Sequence, residues 1–135
     1  VSRKTAEELG ITQEEFDDLV WVRDALDPSK VEVELPRWLE FDMRNWLVVP
    51  EGDTTSCGTI ACLGGTMDVL RLSRRLGVGL DDVTETSIHE TDSEHSSALN
   101  WLFYNWDHSQ PRSTELAVRA VDNFLAGAKR PWGCP

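Results

Sequence analysis

Apolar side chains recur at helical spacing in several stretches, each carrying its own start and stop signals, and this pattern most narrows the fold. "TAEELGITQEEFDDLVWVRDALDP" opens with Thr5 as a cap, turns at Gly10 and caps again at Thr12. Phe16, Leu19, Val20 and Arg23 then follow at helical spacing before Pro28 stops the helix. A second helix is predicted from Thr55 or Ser56 to about Leu76, with Ile60, Leu63, Met67 and Leu70 on one side and Leu72 and Leu76 widening the stripe. Arg71, Arg74 and Arg75 suit its negative pole, and Gly77 is a good terminator. "SSALNWLFYNW" puts Leu99, Leu102, Phe103 and Trp106 on one face. The last helix begins at Pro111 or shortly after, with Thr114 near its start, Leu116, Ala120, Val121, Phe124 and Leu125 on one stripe, and Gly127 at its end.

Against these stands one alternating run, "SKVEVELPRW", where Val31, Val33 and Leu35 suggest a short extended segment ended by Pro36. A lone strand needs partners, and no second run of comparable quality appears, so a sheet is not expected. The prediction is a mainly α, compact single-domain bundle of four to five helices over residues 1–135, with a long acidic connection at 77–96. A chain of 135 residues suits one domain. With 40% hydrophobic and 27% charged residues it lies well away from the class that stays disordered. Trp21, Trp38, Trp46, Trp101, Trp106 and Trp132 are expected mostly in the core, where each indole N–H needs an acceptor.

The net charge of -11 is patterned. Six carboxylates and no Lys or Arg lie between Thr5 and Val22, and seven carboxylates and again no Lys or Arg lie between Leu76 and Pro111. Such a field repels nucleic acid and anionic lipid and attracts basic protein surfaces; its bland alternative is solubility alone. "TAEELGITQEEF" has the outline of half a helix-turn-helix, but Glu14, Glu15, Asp17 and Asp18 carry the wrong sign for a helix that reads DNA. Direct nucleic-acid binding is therefore not expected. Apolar stretches such as "WLVV" at 46–49 fall far short of the ~20 residues of a membrane span. Cys57, Cys62 and Cys134, an odd number in a chain large enough to fold without bridges, fit a reducing, cytoplasmic setting.

Two of these cysteines sit in "SCGTIACLGG", residues 56–65, ten residues beyond "FDMRNW", residues 41–46. In a continuous helix, residues five apart have alpha carbons about 8 to 9 Å from each other. A disulfide tolerates at most ~7 Å. Cys57 near a helix N-terminus would have a lowered thiolate pKa, yet thiolate catalysis also needs a positioned base, and nothing in the spacing of His89, His95 and His108 supplies one. "HETDSEH" lacks the paired spacing of a zinc site, so no metal and no cofactor are expected. Gly58, Ala61, Gly64 and Gly65 leave one helix side nearly free of side chains for close packing by an indole such as Trp46, Trp101 or Trp106. The run is not a phosphate loop, because it lacks the Lys and the glycine spacing.

"FDM..W" followed by "CGT..C..G" resembles a motif of small uncharacterised proteins encoded by bacteria and their phages. The downstream "LF...W" and "STELAVRAVDNFL" are similar in placement, and the likeness spans approximately residues 38 to 127. The chain departs from it after the second cysteine, with Leu63, Gly64, Gly65 and Thr66 where a small residue and an aromatic belong. The resemblance implies a shared fold, with Phe41, Met43, Trp46, Cys57, Gly58, Thr59, Cys62 and Gly65 as its structural motif, and carries no catalytic residues across.

The sequence thus points to a small acidic, non-enzymatic interaction protein, phage-encoded as the resemblance implies, binding a basic surface of another protein in the manner of an inhibitor or nucleic-acid mimic. Its candidate binding residues are Glu14, Glu15, Asp17, Asp18, Asp81, Asp82, Glu85, Glu90, Asp92 and Glu94. A thiol- or metal-dependent enzyme or redox sensor using Cys57 and Cys62, and a purely structural domain, are the alternatives. The "KRPWGCP" tail is free to dock on the body or on a second copy, so oligomeric state stays open.

Overall fold

The computed structural model describes residues 3–30, 35, 39–44, 47–48, 59–80, 83, 94–104 and 112–132. In chain order its elements are α1 (Ala6–Leu9), α2 (Gln13–Leu26), β1 (Leu39–Phe41), β2 (Leu47–Val48), β3 (Thr59–Ala61), α3 (Leu63–Leu76), a 3-10 turn (Ser97–Leu99), α4 (Asn100–Phe103) and α5 (Thr114–Leu125). The fold is mainly helical, as the sequence predicts. The chain divides into two compact units, one formed by both ends (Val1–Glu34 with Glu94–Pro135) and one by the middle (Leu35–Ser93).

In the first unit, both N-terminal helices start from the same local chemistry. Thr5 and Glu8 form a reciprocal capping box at α1, and Thr12 and Glu15 form another at α2, each satisfying two backbone N–H groups that the first helical turn leaves without partners. Gly10, at φ 76°, ends α1 in the left-handed region. Helix α2 packs chiefly against α5, and α4 also packs on α5. Leu19, Val22, Leu99, Leu102, Ala117, Val121 and Leu125 are fully enclosed.

The inward face of α2 is Glu15, Asp18, Leu19, Val22 and Leu26, whereas Phe16, Val20 and Arg23 are only half-buried. The predicted stripe is therefore turned by one position, because two carboxylates occupy places where the pattern calls for apolar residues. The α5 stripe is as predicted, with Ala117 buried and Leu116 at its margin. The tail docks on its own unit: Asn123 Nδ2 donates to the Pro131 carbonyl at 2.9 Å, and Trp132 Nε1 donates to the Leu102 carbonyl at 2.6 Å.

The second unit corrects the expectation of no sheet. Strand β3 pairs in parallel with β1 (Leu39 with Thr59, Phe41 with Ala61) and antiparallel with β2 (Leu47 with Ala61, Val48 with Ile60), giving the order β1-β3-β2. The helix predicted from Thr55 or Ser56 begins only at Leu63. β-Branched Thr59 and Ile60 favour extended backbone, and two-sided pairing fixes it. The helical distance between Cys57 and Cys62 consequently has no basis, and Cys57 itself lies outside the described residues. Gly77, at φ 71°, closes α3 as expected. Leu39, Val69, Leu72 and Val83 form the core, with Leu35 and Leu80 against it. The alternating run at 31–35 lies outside the described residues apart from Leu35.

Candidate functional site

The predicted acidic surface resolves into two kinds of carboxylate. Glu14 and Asp17 project into solvent from the first turns of α2, and Gln13 Nε2 donates to Asp17 at 3.0 Å. Glu94 is exposed as well. Glu15 and Asp18, by contrast, are 3% and 1% exposed and are removed from the predicted binding set. Glu15 folds back over the helix start as a cap, like the exposed Glu8, and differs from it in being covered by Ser96. Asp81, Asp82, Glu85, Glu90 and Asp92 lie outside the described residues.

Glu15 does more than cap. One carboxylate oxygen accepts from Thr12 N at 2.9 Å and from Ser96 Oγ at 2.5 Å, and the other accepts from Ser96 N at 2.7 Å. Burial alone would raise its pKa, but the hydrogen bonds from Ser96 and Thr12 together outweigh that and hold it below the ordinary glutamate value. The side chain ties the start of α2 to residues 81 positions downstream. Glu94 lies two residues before Ser96, so this tether holds its backbone near the start of α2. The T-x-x-E spacing at Thr12 is the sequence signal for Glu15's role; nothing in the sequence announces Ser96.

Arg23 organises the opposite end of α2. Its guanidinium makes a bidentate pair with Asp122 of α5 (3.0 and 3.2 Å) and also reaches Asp24 (3.0 Å) and Asp27 (2.8 Å). These partners, Asp122 foremost, raise its pKa further above an already high value. Three carboxylates counted in the net negative charge are thus spent on an internal junction.

In the second unit, Phe41 and Met43 are buried, and Asp42 between them is completely enclosed. Asp42 accepts from Arg44 N at 2.9 Å and pairs with the Arg44 guanidinium at 2.7 Å, so the "FDMR" stretch is a turn locked by its own aspartate. Cys62 is the N-cap of α3: its sulfur accepts from Gly65 N at 3.4 Å and its carbonyl from Thr66 Oγ1 at 2.8 Å. Only 2% exposed, the thiol is pushed up to about 11 by burial, which the amides of Gly65 and Gly64 only partly offset. That is the environment of a structural cap, opposite to the electropositive, accessible one a nucleophilic thiolate requires. Gly65 is buried and Thr59 belongs to β3, whereas Trp46, Cys57 and Gly58 lie outside the described residues.

His95 is absorbed into packing, with Nε2 2.9 Å from Asn100 Oδ1 and its ring edge-on to Phe103 at 5.1 Å. His89 and His108 lie outside the described residues. Among the described residues no group of three or more His, Cys, Asp or Glu side chains could hold a metal ion, and no helix is long and apolar enough to cross a membrane. Comparison with protein-family models, with curated proteins and with solved structures finds no match.

Proposed function

We propose that the protein is an acidic, non-enzymatic interaction protein that binds a basic surface of another protein, of the inhibitor or nucleic-acid-mimic type, in the cytoplasm of a bacterial or phage-infected cell. The observation that supports this reading most is the Glu15–Ser96 tether, which carries exposed Glu94 to the helix start that displays Glu14 and Asp17. Residues from within two cation-free stretches, far apart in sequence, are thus tied together through Glu15 and Ser96. Exposed like charges repel one another, while they speed and orient encounter with a cationic partner.

Retention of partners from a bacterial lysate on the immobilised chain tests it. Binding falls steeply as ionic strength shortens the Debye length from ~10 Å toward ~3 Å. A chain that retains nothing at low salt, or whose partners ignore salt, contradicts the proposal.

A further inference from the structure

A different surface of the first unit has the opposite electrostatic character. A groove of about 700 Å³ has Leu9, Ala98 and Phe124 among its lining residues, with Trp101 beside them. Lys4, Lys129 and Arg130 also line it, against one carboxylate, Glu8, whose oxygen is already engaged with Thr5 N at 3.0 Å. Trp101 is 54% exposed, so its indole presents a large apolar face to solvent instead of the core position predicted for it.

The positions of these cations are built by the fold. Lys4 N donates to the Leu125 carbonyl at 2.7 Å, and the Lys4 stem lies over Gly127, where an added Cβ would come within 3.3 Å of it. Gly127, at φ 92°, turns the chain out of α5. The bonds from Asn123 to Pro131 and from Trp132 to Leu102 then fasten the segment that carries Lys129 and Arg130. The backbone that carries the cations is thus set before binding, which leaves only their side chains to be ordered.

We propose that this groove docks an acidic peptide segment of a partner protein, one in which Asp and Glu flank an aromatic or long aliphatic anchor. The anchor packs on Trp101 and Phe124, and the flanking carboxylates face Lys4, Lys129 and Arg130. Charge complementarity selects this occupant: in a chain of net charge -11, three cations around an apolar hollow favour a short anionic segment. A long phosphate backbone would extend beyond the groove into repulsive field. An exposed Trp with nearby cations also has the composition of an interface anchor.

The test is selection of a random dodecapeptide display library on the full chain, keeping peptides that the wild type retains and the Trp101→Ala variant does not. Synthetic versions are then measured by fluorescence anisotropy on the wild type, Trp101→Ala and the double variant Lys129→Glu/Arg130→Glu, each checked for an unchanged circular dichroism spectrum. The proposal expects peptides rich in Asp and Glu around an apolar anchor, weakened about tenfold or more by either variant. It is overturned if no such peptides emerge, if they lack acidic bias, or if the double variant binds them as well as the wild type. Tighter binding of an oligo(dT) probe than of any peptide assigns the groove to nucleic acid and overturns it. So does a wild-type dimer, seen by sedimentation equilibrium, that the double variant dissolves, because the occupant is then a second copy.

Discussion

Replacing Glu15 by Gln separates a structural carboxylate from the surface charge around it. The side chain is 3% exposed and accepts three hydrogen bonds, one from Thr12 N and two from Ser96. Gln offers one acceptor oxygen. Placed to keep Thr12 N and Ser96 Oγ, it turns its NH2 group toward Ser96 N–H, leaving that donor without an acceptor. Loss of one charge-assisted bond with a buried donor unsatisfied costs roughly 1.5–3 kcal/mol, a large share of the ~5–15 kcal/mol that holds a typical domain together.

Urea unfolding followed by circular dichroism reads the effect as a lowered midpoint with unchanged slope. Glu14→Gln, one residue away and exposed, is the control and stays within ~0.5 kcal/mol of the wild type. The effect of Glu15→Gln also depends on pH in a defined direction. Because the folded pKa of Glu15 lies below its unfolded value of ~4.3, its contribution is complete above that pH and is lost as pH falls through the folded value. The gap between wild type and Glu15→Gln therefore narrows in acid. Equal effects of the two substitutions, or a gap that does not change with pH, would show that Glu15 is not a charged tether between Thr12 and Ser96.

Two further outcomes follow from the same physical account. Cys62 reacts slowly with iodoacetamide at about pH 8 in the native protein and rapidly in urea, since its thiol is enclosed and its pKa pushed up to about 11; peptide mapping distinguishes it from Cys57 and Cys134, and fast native alkylation would contradict its role as a cap. Arg23→Gln lowers stability by roughly 1–3 kcal/mol, because Asp24, Asp27 and Asp122 lose a shared cation at the α2–α5 junction; chemical denaturation measures it, and an unchanged midpoint would show the network to be ornamental.

Local signals in the sequence place most of the helical framework. Thr12, Gly77 and Gly127 mark real boundaries, and the α5 stripe from Ala120 to Leu125 faces inward as its spacing dictates. The sheet escapes because its strands are two or three residues long, too short for alternation to register, and β1 meets β3 twenty positions away in register. Pairing of that kind is non-local and leaves little periodicity.

The face of α2 is misjudged for a different reason. Glu15 and Asp18 look like surface residues by composition, and only their three-dimensional surroundings show that they point inward. The same limit applies to Trp101, whose size argues for burial while its position on α4 exposes it. Of the candidate surface, Glu14, Asp17 and Glu94 are legible as exposed charge; what joins them, the Ser96 contact with Glu15, depends on a long-range meeting that no spacing encodes.

The most direct measurement compares the wild-type chain with the charge-reversed variant Glu14→Lys/Asp17→Lys/Glu94→Lys as bait in the same bacterial lysate, at low and raised salt, with retained proteins identified by mass spectrometry. The wild type is expected to hold a defined set of proteins with basic surfaces, released by salt and absent from the variant, with both chains folded by circular dichroism. The same proteins bound equally by both would place the working surface elsewhere and contradict it.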